Sequence, residues 1–310
     1  MISELLSATV LIGILASGIR LATPYLYAAI GETFGQKSGV LNLGVEGQML
    51  LGSFAAFYVA FNTGSLWLGL LAAILVGAAM GLAMAYVTVN LRAQQGISGI
   101  GFYLFGLGMS ELLFQILMGT VETAQGFPKV YIPGLSDIPG IGEIFFSQNV
   151  LVYGAFLLVP LSSFVLNKTT LGLKIRAVGE NPDAADSLGV SVARIRYFTI
   201  ILGGALSGIA GASLSIALLN VFQQNMTSGL GFIAVALVYF GGWKPLGVLW
   251  GALLFSMVNS LQLWIQVLGI PIPSDIAVMM PYVLTILVLI ASVSRVRSPS
   301  ALSKPFERES

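Results

Sequence analysis

Ten apolar segments, at about 3–19, 22–35, 44–62, 66–89, 97–118, 150–167, 197–219, 229–242, 246–268 and 277–294, take up most of this 310-residue chain. So much apolar length needs hydrocarbon outside as well as inside the fold. In a bilayer every backbone N–H and C=O must be satisfied within the protein, and helices achieve that segment by segment. Composition agrees: the chain is 56% hydrophobic and 9% charged, where soluble domains carry about 25% charged residues, and its mean hydropathy is +0.92. The expected fold is an all-α, polytopic helical membrane protein of about ten transmembrane helices, with residues 1–310 as a single transmembrane domain. Two segments, 22–35 and 229–242, fall short of the ~20 residues a straight span needs and read as short, broken or re-entrant pieces. The first residues, MISELLSATVLIGILASG, lack the basic region and small-residue cleavage site of a signal peptide and read as a retained first span.

Orientation follows from the basic residues. With ten crossings and the N-terminus inside, Lys37, Arg92, the five basic residues between Lys168 and Arg196, Lys244, Arg295, Arg297, Lys304 and Arg308 all face the cytoplasm, 12 of 14. Arg20 and Lys129 fall outside. Both termini are then cytoplasmic. The longest external segment, 119–148, carries three prolines and a net charge of −2. Its Pro and Gly preclude a long helix, while Phe127, Tyr131, Ile132 and Ile141 suggest a structured cap. The tail 296–310 reads as polar and disordered.

Residues 168–196 form a polar island, KTTLGLKIRAVGENPDAADSLGVSVARIR, with five basic residues and three acids (Glu180, Asp183, Asp186). Charge of this density belongs in water. Asn181 fits an N-cap, Pro182 the first helical residue, Asp183 the first turn and Gly189 a stop after Leu188. A short capped helix on the cytoplasmic side suggests a docking element, with Ala184, Ala185 and Leu188 as its surface. A solvated loop with one helical turn fits the same pattern.

The chain holds no Cys and no His. Disulfides, thiol chemistry, the usual zinc sites and imidazole catalysis are thereby excluded. No GxxxxGK[ST] loop occurs, so any ATP hydrolysis falls to another chain. Glu32, Glu46 and Glu111 lie in or near spans without a nucleophile–base pair, which argues against an enzyme. No cofactor or metal is expected on this chain, and the small net charge of +1 gives no case for binding nucleic acid.

Polar side chains inside spans are costly and point to function or to inter-helix hydrogen bonding. Asn42 and Glu46 are four apart, with Gln48 following. Glu111 and Gln115 are also four apart. Asn220, Gln223, Gln224 and Asn225 cluster at the outer end of one span. Ser256, Asn259, Gln262 and Gln266 form a stripe. Amides and hydroxyls without repeated charge suit a neutral polar solute. Of these, Asn42, Glu46, Gln48, Asn220, Gln223, Asn259, Gln262 and Gln266 are the candidates for a solute path; inter-helix bonding stays open for each, above all for Glu46 in its Gly-rich setting. Two small-residue ridges, Gly69-Ala73-Gly77-Gly81-Ala85 and Gly203-Ser207-Gly211-Ser215 flanked by Gly204, Gly208 and Ala212, allow close helix approach.

Three stretches carry a family resemblance: SGVLNLGVEGQMLLGSFAAF (Ser38–Phe57), LGLKIRAVGENPDAADSLGVSVARIR (Leu171–Arg196) and GLGFIAVALVYFGGWKPLGVLWGALLF (Gly229–Phe255). In that order they resemble permease subunits of ATP-binding cassette (ABC) importers of the simple-sugar and nucleoside group, nearest to nucleoside-uptake permeases, in a superfamily that includes ribose and branched-chain amino-acid permeases. The resemblance implies a multi-pass subunit of a bacterial plasma membrane that works with ATP-binding subunits, a second and different permease chain, and an extracytoplasmic solute-binding protein. It implies that Asn181, Pro182, Asp183, Ala184, Ala185, Asp186, Leu188 and Gly189 couple the permease to the ATPase. An ion-coupled transporter using Glu32, Glu46 or Glu111 is the competing class.

Overall fold

A computed structural model describes residues 7–269, 273–292 and 297–307. Every regular element among them is helical. Six helices there are long and apolar enough to cross a membrane.

The chain opens with α1, Ala8–Lys37, a single helix of 30 residues. The expectation of two spans at 3–19 and 22–35 is therefore corrected. Nothing between Arg20 and Ala22 breaks a helix, and Pro24 is accommodated inside α1, as membrane helices allow where neighbours satisfy the freed carbonyl. At 1.5 Å per residue the helix is about 45 Å long, so it spans only with tilt. Ala8 and Lys37 then lie at opposite ends of one helix, rather than at the same end as the ten-crossing count expects for the start of the first span and Lys37.

Residues 38–44 follow as a non-helical break. It turns back into the bundle, because the Asn42 N–H reaches Glu32, five residues up α1 from Lys37. Helix α2, Val45–Thr63, thus starts in the interior, where Gly47 packs on Phe102 and Tyr103. Helix α3, Leu66–Ala85, continues as a π turn to Asn90, and α4 is Gln95–Leu117. Residues 119–148 hold the short α5, Ile141–Phe145. They form an ordered cap: Phe127 is buried against Trp67, and Tyr131 donates to Asp137 at 2.6 Å. Helix α6, Val150–Lys168, leads to two short helices, α7, Thr170–Glu180, and α8, Pro182–Ser187. Helix α9, Val192–Ser213, continues as a π turn to Leu218. After a second break come α10, Leu230–Phe240, α11, Pro245–Val267, and α12, Ser274–Ser292.

The two halves repeat with opposite direction. The series α1, break, α2, α3, α4 corresponds to α9, break, α10, α11, α12. Helices α1 and α9 run antiparallel: Ser38 bonds Thr199 at 2.8 Å, and Gly31 lies on Gly203 further along. Helix α3 packs on α9, as α11 packs on α1. The small-residue ridges explain the first pair, since Gly77 and Gly81 of α3 lie directly on Gly204 and Gly208 of α9, where any Cβ would strike backbone. Lipid tails supply no hydrophobic drive between helices, so this close van der Waals approach is what holds them.

One end of the bundle, here the basic end, carries Lys37, Arg92, Lys168–Arg196 and Lys244. The tail, expected to be disordered, is instead placed against this end over 297–307: the Ala301 N–H donates to Gly179 and the Ser303 N–H to Gly39. Its remaining residues, 296 and 308–310, lie outside the described residues. Composition alone misread the segment because its backbone, rather than an apolar face, makes the attachments.

Candidate functional site

The breaks put bare backbone inside the bundle, where each polar group needs a partner. In the first break Glu32 accepts from the Asn42 N–H and from Gln36 Nε2, each at 3.0 Å. Asn42 Oδ1 accepts from the Gly44 N–H at 2.9 Å, and Asn42 Nδ2 donates to Gln48 at 3.2 Å. Gln95 accepts from the Leu41 N–H at 2.8 Å.

Glu46 joins the first break to the second. Its carboxylate accepts from the Thr227 hydroxyl at 2.5 Å and from the N–H groups of Gly229 and Gly231 at 2.7 and 2.6 Å. Glu46 stands in the first turn of α2 while bonding the first turn of α10. Both helices therefore direct their positive ends at one buried carboxylate. Glycine is required around it: Gly229 has φ +89°, and a side chain on Gly231 would meet the Glu46 backbone.

Beside this junction lies a cleft of about 220 Å³. Tyr25 of α1, Thr227 and Ser228 of the second break, Asn259 and Gln262 of α11, and Tyr282 of α12 line it, with apolar Met226, Leu230, Ile233 and Pro281. None of these is charged. The cleft offers amides, hydroxyls and two phenol rings, which suits recognition of a neutral polar molecule. Among the described residues no group of acidic side chains is arranged to hold a metal ion.

The sequence-derived path residues thus separate by place. Asn259 and Gln262 line the cleft, and Glu46 adjoins it through Thr227. Asn42 in the first break and Gln48 in the first turn of α2 bond each other behind it, and the Gln48 Nε2 is buried with no partner among the described residues. Asn220 lines a different cavity of about 390 Å³ at the end opposite the basic one, with Arg20, Lys129 and Asn149. Gln223 and Gln266 are exposed. Glu111 and Gln115 bond each other at 3.4 Å on α4, away from the cleft. Sequence reasoning missed Tyr25, Thr227, Ser228 and Tyr282. Their one available signal was the short 229–242 segment, whose break draws flanking residues toward a cavity.

On the basic end α8 has the caps its sequence promised. Asn181 accepts from the Ala184 N–H at 3.0 Å, Pro182 is the first helical residue, Asp183 lies in the first turn, and Gly189 ends the turn at φ +83°. Its surface differs from expectation. Ala185 is 3% exposed and faces the bundle core, whereas Leu188 is 85% exposed. Ala185 is buried because the helix must itself be anchored; Ala184 and Leu188 are the outward residues.

Residues 14–289 match the family described as the branched-chain amino acid transport system permease component. The guanosine ABC transporter permease protein NupQ of Bacillus subtilis is 37% identical over 92% of this chain and 93% of its own length. The nucleoside ABC transporter permease protein NupC of Lactococcus lactis is 36% identical over 93% and 94%. A Haloferax volcanii protein named provisionally as the glucose ABC transporter permease TsgC13 is 38% identical over 96% and 98%. Near-full coverage on both sides, together with the apolar helices, settles the class: the chain belongs to this permease family and is a multi-pass membrane component of an ABC transporter.

Proposed function

We propose that the chain imports nucleosides, and that the cleft beside the α2–α10 junction is where the solute is held as it crosses. The observation that carries this reading is the lining itself: Tyr25 and Tyr282 offer aromatic surface for a base, and Asn259, Gln262, Thr227 and Ser228 offer hydrogen bonds for base edges and ribose hydroxyls, with no fixed charge. A discontinuous helix ending at a central cavity is a common site in transporters built from inverted repeats. The named substrates of the Bacillus and Lactococcus relatives point the same way. The glucose named for the Haloferax relative makes a simple sugar the second reading, because the same amides and hydroxyls suit one; the two phenol rings favour the nucleoside.

In this reading ATP hydrolysis belongs to separate ATP-binding subunits that dock on the basic end around Ala184 and Leu188. A second permease chain completes the pathway, and an extracytoplasmic binding protein delivers solute at the opposite end. The membrane is a bacterial plasma membrane with the basic end in the cytoplasm, and the chain itself carries no cofactor. The test is uptake of labelled guanosine and labelled glucose by vesicles containing the full transporter. Asn259→Ala and Gln262→Ala should each weaken apparent affinity for guanosine by about tenfold, the size of one hydrogen bond lost from a desolvated site. Unchanged affinity in both, at normal membrane levels, would remove the solute from this cleft. Preferential uptake of glucose would select the sugar.

A further inference from the structure

Arg196 is the largest fully buried side chain among the described residues, at 1% exposure. A buried cation normally needs a counter-ion; the Asp186 carboxylate lines the same cavity as Arg196, but the hydrogen bonds of the guanidinium go to backbone carbonyls. Its Nε donates to the Ser38 carbonyl at 3.3 Å and its Nη1 to the Lys304 carbonyl at 3.1 Å, while Nη2 has no partner among the described residues. Ser38 caps the carboxyl end of α1, so the cation rests on the negative end of a helix dipole. The second carbonyl belongs to the chain's own tail.

That tail is fastened on several sides. Ser300 donates to Glu180 at 3.1 Å, the Ala301 N–H to Gly179 at 2.9 Å and the Ser303 N–H to Gly39 at 3.1 Å. Glu307 pairs with Arg92. Gly179 and Glu180 immediately precede Asn181, the cap of α8. Gly39 lies at the start of the first break, whose Asn42 bonds Gln48 in the first turn of α2, the turn that also carries Glu46. The tail therefore ties the base of the docking helix to the break that runs toward the candidate site.

We propose that Arg196 is a positioning residue for coupling: it holds the tail, residues 297–307, as a strap through which movement of α8 reaches the first break. The strap stays fastened through the cycle, so that α8 and Gly39 move together. This rests on the ATP-driven reading above. Without the strap, ATP turnover should continue but should move less solute.

The experiment uses the complete transporter in vesicles and reads solute taken up per ATP hydrolysed. In Arg196→Gln, and in a chain ending before Arg297, that ratio should fall at least about tenfold, the factor matching loss of one charge-assisted hydrogen bond. Arg196→Lys, which keeps the charge, should recover part of it. A purely structural Arg196 would lower membrane levels and leave the ratio alone, and an unchanged ratio in both disrupting variants overturns the proposal. A second arm covers variants that fail to insert. The chain has no native Cys, so Glu180→Cys with Ser300→Cys can be joined by a short bismaleimide. Retained coupled uptake in the joined protein supports a strap that stays fastened, and its loss overturns it. If the unaltered transporter shows no ATP-dependent uptake at all, the ATP-driven reading fails, an outcome separate from either result for the strap.

Discussion

Glu46 is the side chain on which both halves of the protein depend. Three donors converge on its two oxygens at 2.5–2.7 Å in a buried setting. Glu46→Gln keeps the shape but turns an amide NH₂ toward N–H groups, and should cost about 1.5–3 kcal/mol, the range for charge-assisted bonds. Glu46→Ala leaves the N–H groups of Gly229 and Gly231 unsatisfied and should cost more. The thermal transition of the detergent-extracted protein should therefore fall in the order wild type, Gln, Ala; an Ala variant as stable as wild type would show that the junction is not held this way. Its structural role was legible in LNLGVEGQML, where glycines crowd a lone carboxylate. The Asn259–Gln262 pair was legible from spacing on one helix face. Tyr25 was not, because within an apolar run nothing distinguishes a tyrosine facing a cleft from one facing lipid. Nor was Arg196, which counted toward the charge asymmetry like any solvated cation while being almost fully enclosed.

The short α8 helix was legible to its last cap because caps are local chemistry: Asn181, Pro182 and Gly189 act on their own neighbours. Its orientation was not legible, since six residues carry no periodicity strong enough to select a buried face. Helix α7 was hidden for a related reason. Its Lys174 and Arg176 dominate a count of charge, although Gly172, Ile175, Val178 and Gly179 form a buried stripe. The orientation of α8 separates two substitutions. Ala185→Arg forces bulk and charge into a packed core and should reduce the amount of inserted protein, independent of any ATPase. Leu188→Asp alters only exposed surface and should leave insertion intact while weakening co-purification of the ATP-binding subunit by at least about tenfold, the scale of a central interface contact. Equal co-purification with Leu188→Asp would move docking elsewhere on the basic end. The ridge pair makes its own demand. Gly208→Leu should prevent normal assembly, read as loss of monodisperse protein after extraction, because the new side chain would meet the backbone of Ala73 and Gly77.

The inverted repeat changes how the whole molecule sits. Ten apolar segments with an inside N-terminus and nine with an outside one place 12 of the 14 basic residues on the same side, because no basic residue precedes Arg20. Charge bias was therefore blind to the one difference that matters, whether the chain turns at Arg20 or continues through it. Continuity of α1 decides it. A long α1 and a long α9, running oppositely and each followed by a break, make the two halves equivalent, whereas a turn at Arg20 would leave α9 without a counterpart. The absence of native Cys makes the difference measurable with an impermeant thiol reagent on intact cells. Ser136→Cys in the cap should react, and Ser187→Cys on the basic end should not. Ser7→Cys is the deciding position: with α1 as one crossing it should react alongside Ser136→Cys. Protection of Ser7→Cys together with Ser187→Cys would restore two separate spans before Lys37, and the correspondence between α1 and α9 would fail with it.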